Sequence, residues 1–435
     1  MIETRKLGWG LAALVVAGNM IGSGLYLLPA TLAPIGSSSL IGWIVCGVGA
    51  LTLAWMFSGL GRFQPTADGL SDFAERGMGR FFGYQAALAY WAACVAGNVA
   101  VAVAGTGYLA FFFPVLKEPL PGAMANLGFI WLATLAYIVG ARSAARFGAA
   151  ALIIGLVPIV LAVVAGAMAF DPAVFAASWS PGGQSLTASV PASLVIIFWA
   201  FLGVESAAAL SRLVKDPARD VGRASLAGVV LAFIVYVVAC VAVFGVIPAG
   251  ELAESTSPYA DLALRVLGAS VAGVVAVCAI IKVAGTVAGW TMMGGETARR
   301  AAEKGYLPRW FGGDGNLPLS NPLINGVVMS VLAVVTIQPS LGEQFGKLVG
   351  VTSVLTLSIY AVCAVGLFRA APSMRWRALA VVALVFSVFA VVAAAGDFEN
   401  GYIVPTAGFF ALVSLGWFWV RRRHPIAIDP PAPPL

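Results

Sequence analysis

Gly18-Asn19-Met20-Ile21-Gly22-Ser23-Gly24 lies in the middle of the first long apolar run of the chain, and its reading decides the fold. The flanks, Leu7 to Ala17 and Leu25 to Leu32, have the composition of a membrane helix; the centre does not. Three glycines in seven residues weaken a helix by roughly 1 kcal/mol each relative to alanine. In hydrocarbon, N–H and C=O groups released from a helix must find partners, so unwound backbone survives only inside protein or beside a watery cavity. Two readings follow. Either the helix breaks here, and its bare amides and half-helix N-terminus form a site for an anionic group, or the small residues let a neighbouring helix pack closely. This stretch alone does not choose between them.

The surroundings are those of an integral membrane protein. The chain is 435 residues long, 60% hydrophobic and 10% charged, with a mean hydropathy of +0.95, whereas soluble domains carry about 25% charged residues. Runs of about 20 apolar residues, enough to cross a bilayer, recur from end to end and leave no room for a large soluble domain. Met1 to Lys6 is short and polar, and the apolar run that follows is long enough to span, so no cleavable leader is expected. Cys46, Cys94, Cys240, Cys278 and Cys363 all fall in apolar segments, where they suit buried hydrophobes better than disulfides or a metal site. The single histidine, His424, follows an arginine run. Metal and cofactor chemistry have almost no material to work with, and neither is expected.

Twelve spans are expected, at about 9–33, 38–60, 81–113, 122–141, 147–168, 188–210, 224–247, 268–296, 323–340, 346–368, 376–395 and 402–420. With both termini in the cytoplasm, all but four of the 25 Lys and Arg fall in cytoplasmic segments. Lys117, Arg265 and Lys347 lie outside, and Lys282 lies within the eighth span. That bias accounts for the net charge of +6 without a nucleic-acid partner. The sixth span carries a second interruption, Phe198-Trp199-Ala200-Phe201-Leu202-Gly203-Val204-Glu205-Ser206, with a glycine and a carboxylate near its middle. Broken helices five spans apart are the mark of two five-helix halves of opposite topology around a midplane site. The halves are expected over 1–168 and 169–370, the last two spans over 371–424, and a disordered proline-rich cytoplasmic tail over 425–435.

These residues carry a resemblance. The first glycine motif, Tyr84-Gln85, Tyr90 to Cys94, Gly97-Asn98, Trp199 to Ser206 and Gly289-Trp290-Thr291 make the chain similar, over nearly its whole length, to the amino acid–polyamine–organocation superfamily. Within it, the chain is most like the basic amino acid/polyamine antiporters that exchange arginine for agmatine. The resemblance implies an all-α membrane fold of LeuT type, with twelve helices, a 5+5 inverted repeat and broken helices one and six. It further implies antiport of a cationic amino acid against its amine through the bacterial inner membrane, often as a homodimer in the bilayer. Asn19, Ile21, Gly22, Ser23 and Gly24 would take the substrate carboxylate, and carbonyls at Ala200 to Leu202 its amine. Trp199 would stack on the cationic head and Trp290 along the stem. Ala93 and Cys94 carbonyls and the Asn98 amide would bind the guanidinium, with Thr352 beside the cavity. Tyr90, Glu205 and Tyr360 would form an inner gate, Glu205 also responding to protons. Val101 and Ala200 depart from the arginine carriers, which have methionine and serine there.

Each of these residues has a plainer use. An arbitrary tryptophan among twelve faces lipid or core, tyrosines tie helices together, and a buried asparagine glues them. Glu205 is set apart because a carboxylate in mid-span is costly and usually functional; its other use is as a partner for a nearby cation or loose amides. Lys282 is the sharpest departure, since the family has a small residue there. It lies too deep to snorkel, and three uses are open: a fixed charge paired with Glu205 or a backbone break, a stand-in for the ion of related sodium-driven carriers, or a substrate contact. The last would favour a neutral or acidic substrate, because two like charges 4 Å apart repel by about 4 kcal/mol at intermediate dielectric. The rival reading is therefore a proton-coupled or exporting carrier of neutral amino acids. An intramembrane enzyme would need a nucleophile–base pair that the spans lack, and none is expected; a channel would conduct without counter-substrate.

Overall fold

The computed structural model describes residues 8–206, 214, 217–313, 319–395 and 401–423. Among them the regular elements are helices, with no strand. In chain order they are α1 (Trp9–Met20), α2 (Leu28–Leu32), α3 (Ser39–Phe63), α4 (Leu70–Met78), α5 (Arg80–Leu109), α6 (Pro119–Val139), α7 (Ala141–Ile154), α8 (Leu156–Ala169), α9 (Pro172–Ala177) and α10 (Leu186–Phe198). There follow α11 (Pro217–Phe244), α12 (Ala249–Ala253), α13 (Pro258–Leu267), α14 (Ala269–Glu303), α15 (Arg309–Gly312), α16 (Ser320–Val335), α17 (Leu341–Ala370), α18 (Met374–Ala395) and α19 (Ile403–Arg423). Nine helical stretches among the described residues are long and apolar enough to cross a membrane, one of them, Phe147–Ala169, running through α7 and α8, and three shorter apolar ones cover Trp9–Gly18, Leu186–Phe201 and Ser320–Val335. Two of those three are short because they end where the main chain breaks. The 425–435 tail and His424 lie outside the described residues.

Two boundaries differ from the expectation, for identifiable reasons. The fifth span is not one helix. It is interrupted at Gly155, between α7 and α8, because Pro158 has no N–H to give the Ile154 carbonyl four residues back. In the other direction, α14 runs on to Glu303 instead of stopping near 296. Glu296 pairs with Arg299 and Arg300, and Arg299 with Glu303, at i,i+3 and i,i+4 spacing, which supports a helix in water.

Burial sorts the helices into centre and rim. Of the apolar window of α5, 83% is buried, and of α17, 72%; for α19 the share is 17%. The reason is side-chain size: α5 is dominated by Ala, Gly and Val, so neighbouring backbones approach closely. α5 lies against both α14 and α17. Four of the five cysteines are buried and none is bonded to another. The polar segment after α3 folds as α4, an amphipathic helix burying Leu70, Phe73 and Ala74, and it docks on α5 and α17.

Candidate functional site

The first glycine motif does leave the helix. α1 ends at Met20, Ile21 turns out of the helical region (φ −68°, ψ 73°), and Gly22 is extended (φ −93°, ψ 178°). The chain resumes as one 3₁₀ turn, Ser23–Tyr26, that no side chain caps, and the opening N–H groups of a helix have no partner within it. The far side of the break is pinned. Tyr26 donates its hydroxyl to the Gly155 carbonyl at 2.6 Å, and its own carbonyl accepts from the Tyr108 hydroxyl at 3.1 Å. The Asn19 and Ser23 side chains lie outside the described atoms.

The second motif breaks differently. α10 gives way to a 3₁₀ turn, Trp199–Phe201, then to extended Leu202 (φ −61°, ψ 139°) and to Gly203 at φ +103°. Only glycine adopts that last conformation without strain. The Ala200 carbonyl accepts from the Tyr236 hydroxyl of α11 at 2.8 Å. The break is then closed by its own acid. Glu205 Oε2 accepts from the Gly203 N–H at 3.0 Å and from the Tyr360 hydroxyl, while Oε1 accepts from the Tyr90 hydroxyl at 2.7 Å. Tyr90 comes from α5 and Tyr360 from α17, so one carboxylate ties the break to two helices. The Tyr360 ring is held edge-on by Phe57, centroids 4.8 Å apart.

The other expected residues divide. Trp199 and Trp290 face each other, centroids 5.7 Å apart and tilted by 40°. They close over Gly97, where an added β-carbon would stand 3.0 Å from both rings. Ala93 and Cys94 are buried one turn before Gly97 and Asn98 on α5. The Asn98 amide is engaged across the α5–α14 contact: with its oxygen toward Thr291, it accepts from that residue's N–H at 3.0 Å and hydroxyl at 2.8 Å and donates to the Val287 carbonyl at 3.2 Å. Thr352 gives its hydroxyl to the Leu348 carbonyl of its own helix at 2.7 Å. Lys282 is 7% exposed, and its stem fills the notch at Gly155, where a β-carbon would stand 2.5 Å from Lys282 Cγ. Among the described residues its amine meets no carboxylate, and Glu205 is held by phenols instead.

Next to Glu205 is a cavity of about 660 Å³. Tyr90 and Glu205 line one end; Asp68, Glu296 and Arg300 line the other. Met293 lies between, its sulfur 3.3 Å from the Tyr90 hydroxyl. Beside this mouth Lys304 bridges from α14 to Asp72 and, at 3.1 Å, to Glu75 of α4. Burial alone would lift the Asp72 carboxyl, but the Lys304 ammonium and the Asp68 N–H outweigh it and hold it below its ordinary value of 3.8. The sequence reading missed this charged mouth. Its signal was present: acids at 68, 72, 75 and 296 set against bases at 299, 300 and 304. Nothing in the sequence pairs the two runs, which lie more than 200 residues apart.

Comparison with known proteins follows the same lines. Residues 7–421 match the amino acid permease family. The cadaverine/lysine antiporter of Escherichia coli is 34% identical over 376 residues, which cover 85% of this chain and 84% of that protein. The putrescine transporter PotE of Escherichia coli is 30% identical over 360 residues, 82% of each chain. PotE of Haemophilus influenzae is 29% identical over 360 residues, 82% of this chain and 83% of its own.

Proposed function

Because the chain belongs to the amino acid permease family, among the basic amino acid/polyamine antiporters of the amino acid–polyamine–organocation superfamily, we propose that it exchanges a cationic amino acid for the corresponding amine by alternating access. On this reading the chain crosses the inner membrane twelve times with both termini in the cytoplasm. Spans one to five and six to ten form two inverted halves, and the basic end that bears Arg299, Arg300 and Lys304 is cytoplasmic. The observation that carries the proposal is Glu205. It is a carboxylate at a helix break deep in the bundle, at the inner end of the cavity, and its partners are uncharged phenols. An anion so placed attracts a cationic substrate and discriminates against an anionic one.

The steps follow from the two breaks. The uncapped N–H groups of the 3₁₀ turn after Gly22 receive the substrate carboxylate. The tryptophan pair parts to admit the alkyl stem and cationic head, with cation–π attraction of about 0.5–2 kcal/mol. Release toward the cavity requires Tyr90 and Tyr360 to let go of Glu205, and protonation of that carboxylate weakens its hold on both. A diamine lacks the carboxylate, so it uses the second half of the site alone.

A second reading, a carrier of neutral amino acids, is favoured by Lys282, a buried amine that meets no carboxylate among the described residues. Counterflow into liposomes loaded with lysine, arginine, cadaverine, putrescine or leucine separates the two. Exchange of lysine or arginine for a diamine with leucine excluded is the expected result. Leucine exchange with both cation classes excluded would overturn the proposal.

A further inference from the structure

The mouth of the cavity holds a second charged station that the steps above do not use. Arg300 Nη1 reaches Asp68 Oδ2 at 2.7 Å and the Asp68 carbonyl at 3.0 Å, and its Nε reaches Glu296 Oε1 at 2.9 Å. All three side chains line the cavity. On α14, Met293, Glu296 and Arg300 follow one another at i, i+3 and i+7, so they share one face. Seven residues at 1.5 Å each put Arg300 about 10 Å along the helix from Met293, whose sulfur touches the gate tyrosine. A solute moving between the mouth and Glu205 therefore passes this bridge.

Stability does not explain the bridge. The Arg300 and Asp68 side chains are 43% and 57% exposed, and ion pairs this exposed add little to a fold. The neighbouring Lys304 bridges to Asp72 and Glu75 tie α4 to α14 independently. What the bridge does change is the charge a solute meets. Two carboxylates facing the entrance would draw in any cation, and a resident guanidinium answers them.

We propose that Arg300 is a specificity-determining residue: a built-in cation that an alkylammonium or guanidinium substrate must displace from Asp68 and Glu296 as it enters by this mouth. The inference deepens the function proposed above and rests on its cationic substrate. Arg300 thus weakens capture of cations on this face and guards against trapping them there. A neutral amino acid carries no net charge and is affected less.

The test uses the full-length protein in inverted membrane vesicles and in intact cells, so that each face is presented in turn, with radiolabelled lysine, cadaverine and leucine. Arg300→Gln should lower the half-saturation concentration for cadaverine about three- to tenfold on the Arg300 face alone at low salt. The effect should shrink at 1 M salt, where screening acts within about 3 Å. Asp68→Asn should raise it by a similar factor, and Arg300→Lys should remain near wild type. If Arg300→Gln and Asp68→Asn shift the value in the same direction, the bridge is a structural tie and the proposal falls; it falls equally if neither shifts it. Wild-type protein that exchanges leucine and neither cation would overturn the cationic reading itself, a result distinct from either.

Discussion

The two places where the main chain leaves its helix are not built alike. The first stands in a stretch without a charged side chain from Lys6 to Arg62. Its glycine is extended, a conformation open to any residue, and it is fixed from outside by neutral bonds through Tyr26. The second contains a glycine at φ +103° and an acid that closes the loop on itself and on two other helices. One break offers backbone donors that no side chain caps and holds no acid or base of its own. The other is a latch whose hold depends on a carboxylate. The function proposed above would divide the labour between them, the first break taking the substrate carboxylate and the second tying release to Glu205.

The largest effect should come from removing the latch. Glu205→Ala leaves the buried Tyr360 phenol, the half-buried Tyr90 phenol and the Gly203 N–H without their acceptor. Hydrogen bonds to a charged group contribute about 1.5–3 kcal/mol each, so exchange should fall about a hundredfold or more in proteoliposomes. Glu205→Gln keeps the shape and should flatten the pH dependence of exchange. If that variant retains the wild-type pH profile, the contrast between a neutral break and one closed by an acid is wrong.

Backbone strain gives the next largest difference. Gly203→Ala forces a β-carbon into a positive-φ conformation at a cost of about 1–3 kcal/mol, while Gly22→Ala meets no such penalty from its backbone. Exchange by the first variant should drop about tenfold and the second should stay within a fewfold of wild type. Equal losses would mean that both glycines serve only close packing. Trp290→Ala belongs at this level: substrate affinity should weaken at least about tenfold, and unaltered affinity would remove the tryptophan pair from the site.

Both breaks were legible in the sequence because glycine clusters inside apolar spans have few physical uses. So was the convergence of Tyr90, Glu205 and Tyr360, though only through resemblance; nothing in their spacing brings residues of α5, the second break and α17 together. What stayed hidden depended on pairings between distant segments. Tyr236 on the Ala200 carbonyl and Tyr26 on the Gly155 carbonyl are long-range bonds of single tyrosines, and a tyrosine in a span carries no mark of its partner. Lys282 was visible as an anomaly. Its seat was not, because the matching void is a glycine at a distant helix interruption, Gly155 between α7 and α8.

That seat allows a finer test of the first break. Tyr26→Phe removes the donor to the Gly155 carbonyl and with it one buried hydrogen bond, at about 0.5–1.5 kcal/mol of stability. Because the bond is neutral, the loss seen in detergent melting should be the same at pH 5 and pH 8. Lys282→Met keeps the stem that fills the Gly155 notch and deletes only the charge. It should melt like wild type yet alter exchange, and wild-type kinetics would make the amine a bystander.

The smallest effect provides the background against which the pH dependence of the latch is read. Asp72 lies outside the spans, paired with Lys304, and its carboxyl is held below 3.8 in the folded protein. A folded value below the unfolded one means that the pair's contribution is fully present above pH 3.8 and is lost as the pH falls through the lower, folded value. An ion pair at this degree of exposure, 17% for Asp72 and 31% for Lys304, contributes about 1 kcal/mol or less. Asp72→Asn should therefore lower the melting temperature slightly at neutral pH and not at all in strong acid, and leave the pH dependence of exchange between pH 5 and 8 untouched. Were exchange in that range to flatten with Asp72→Asn as it should with Glu205→Gln, the proton response would belong to the mouth of the cavity and not to the second break.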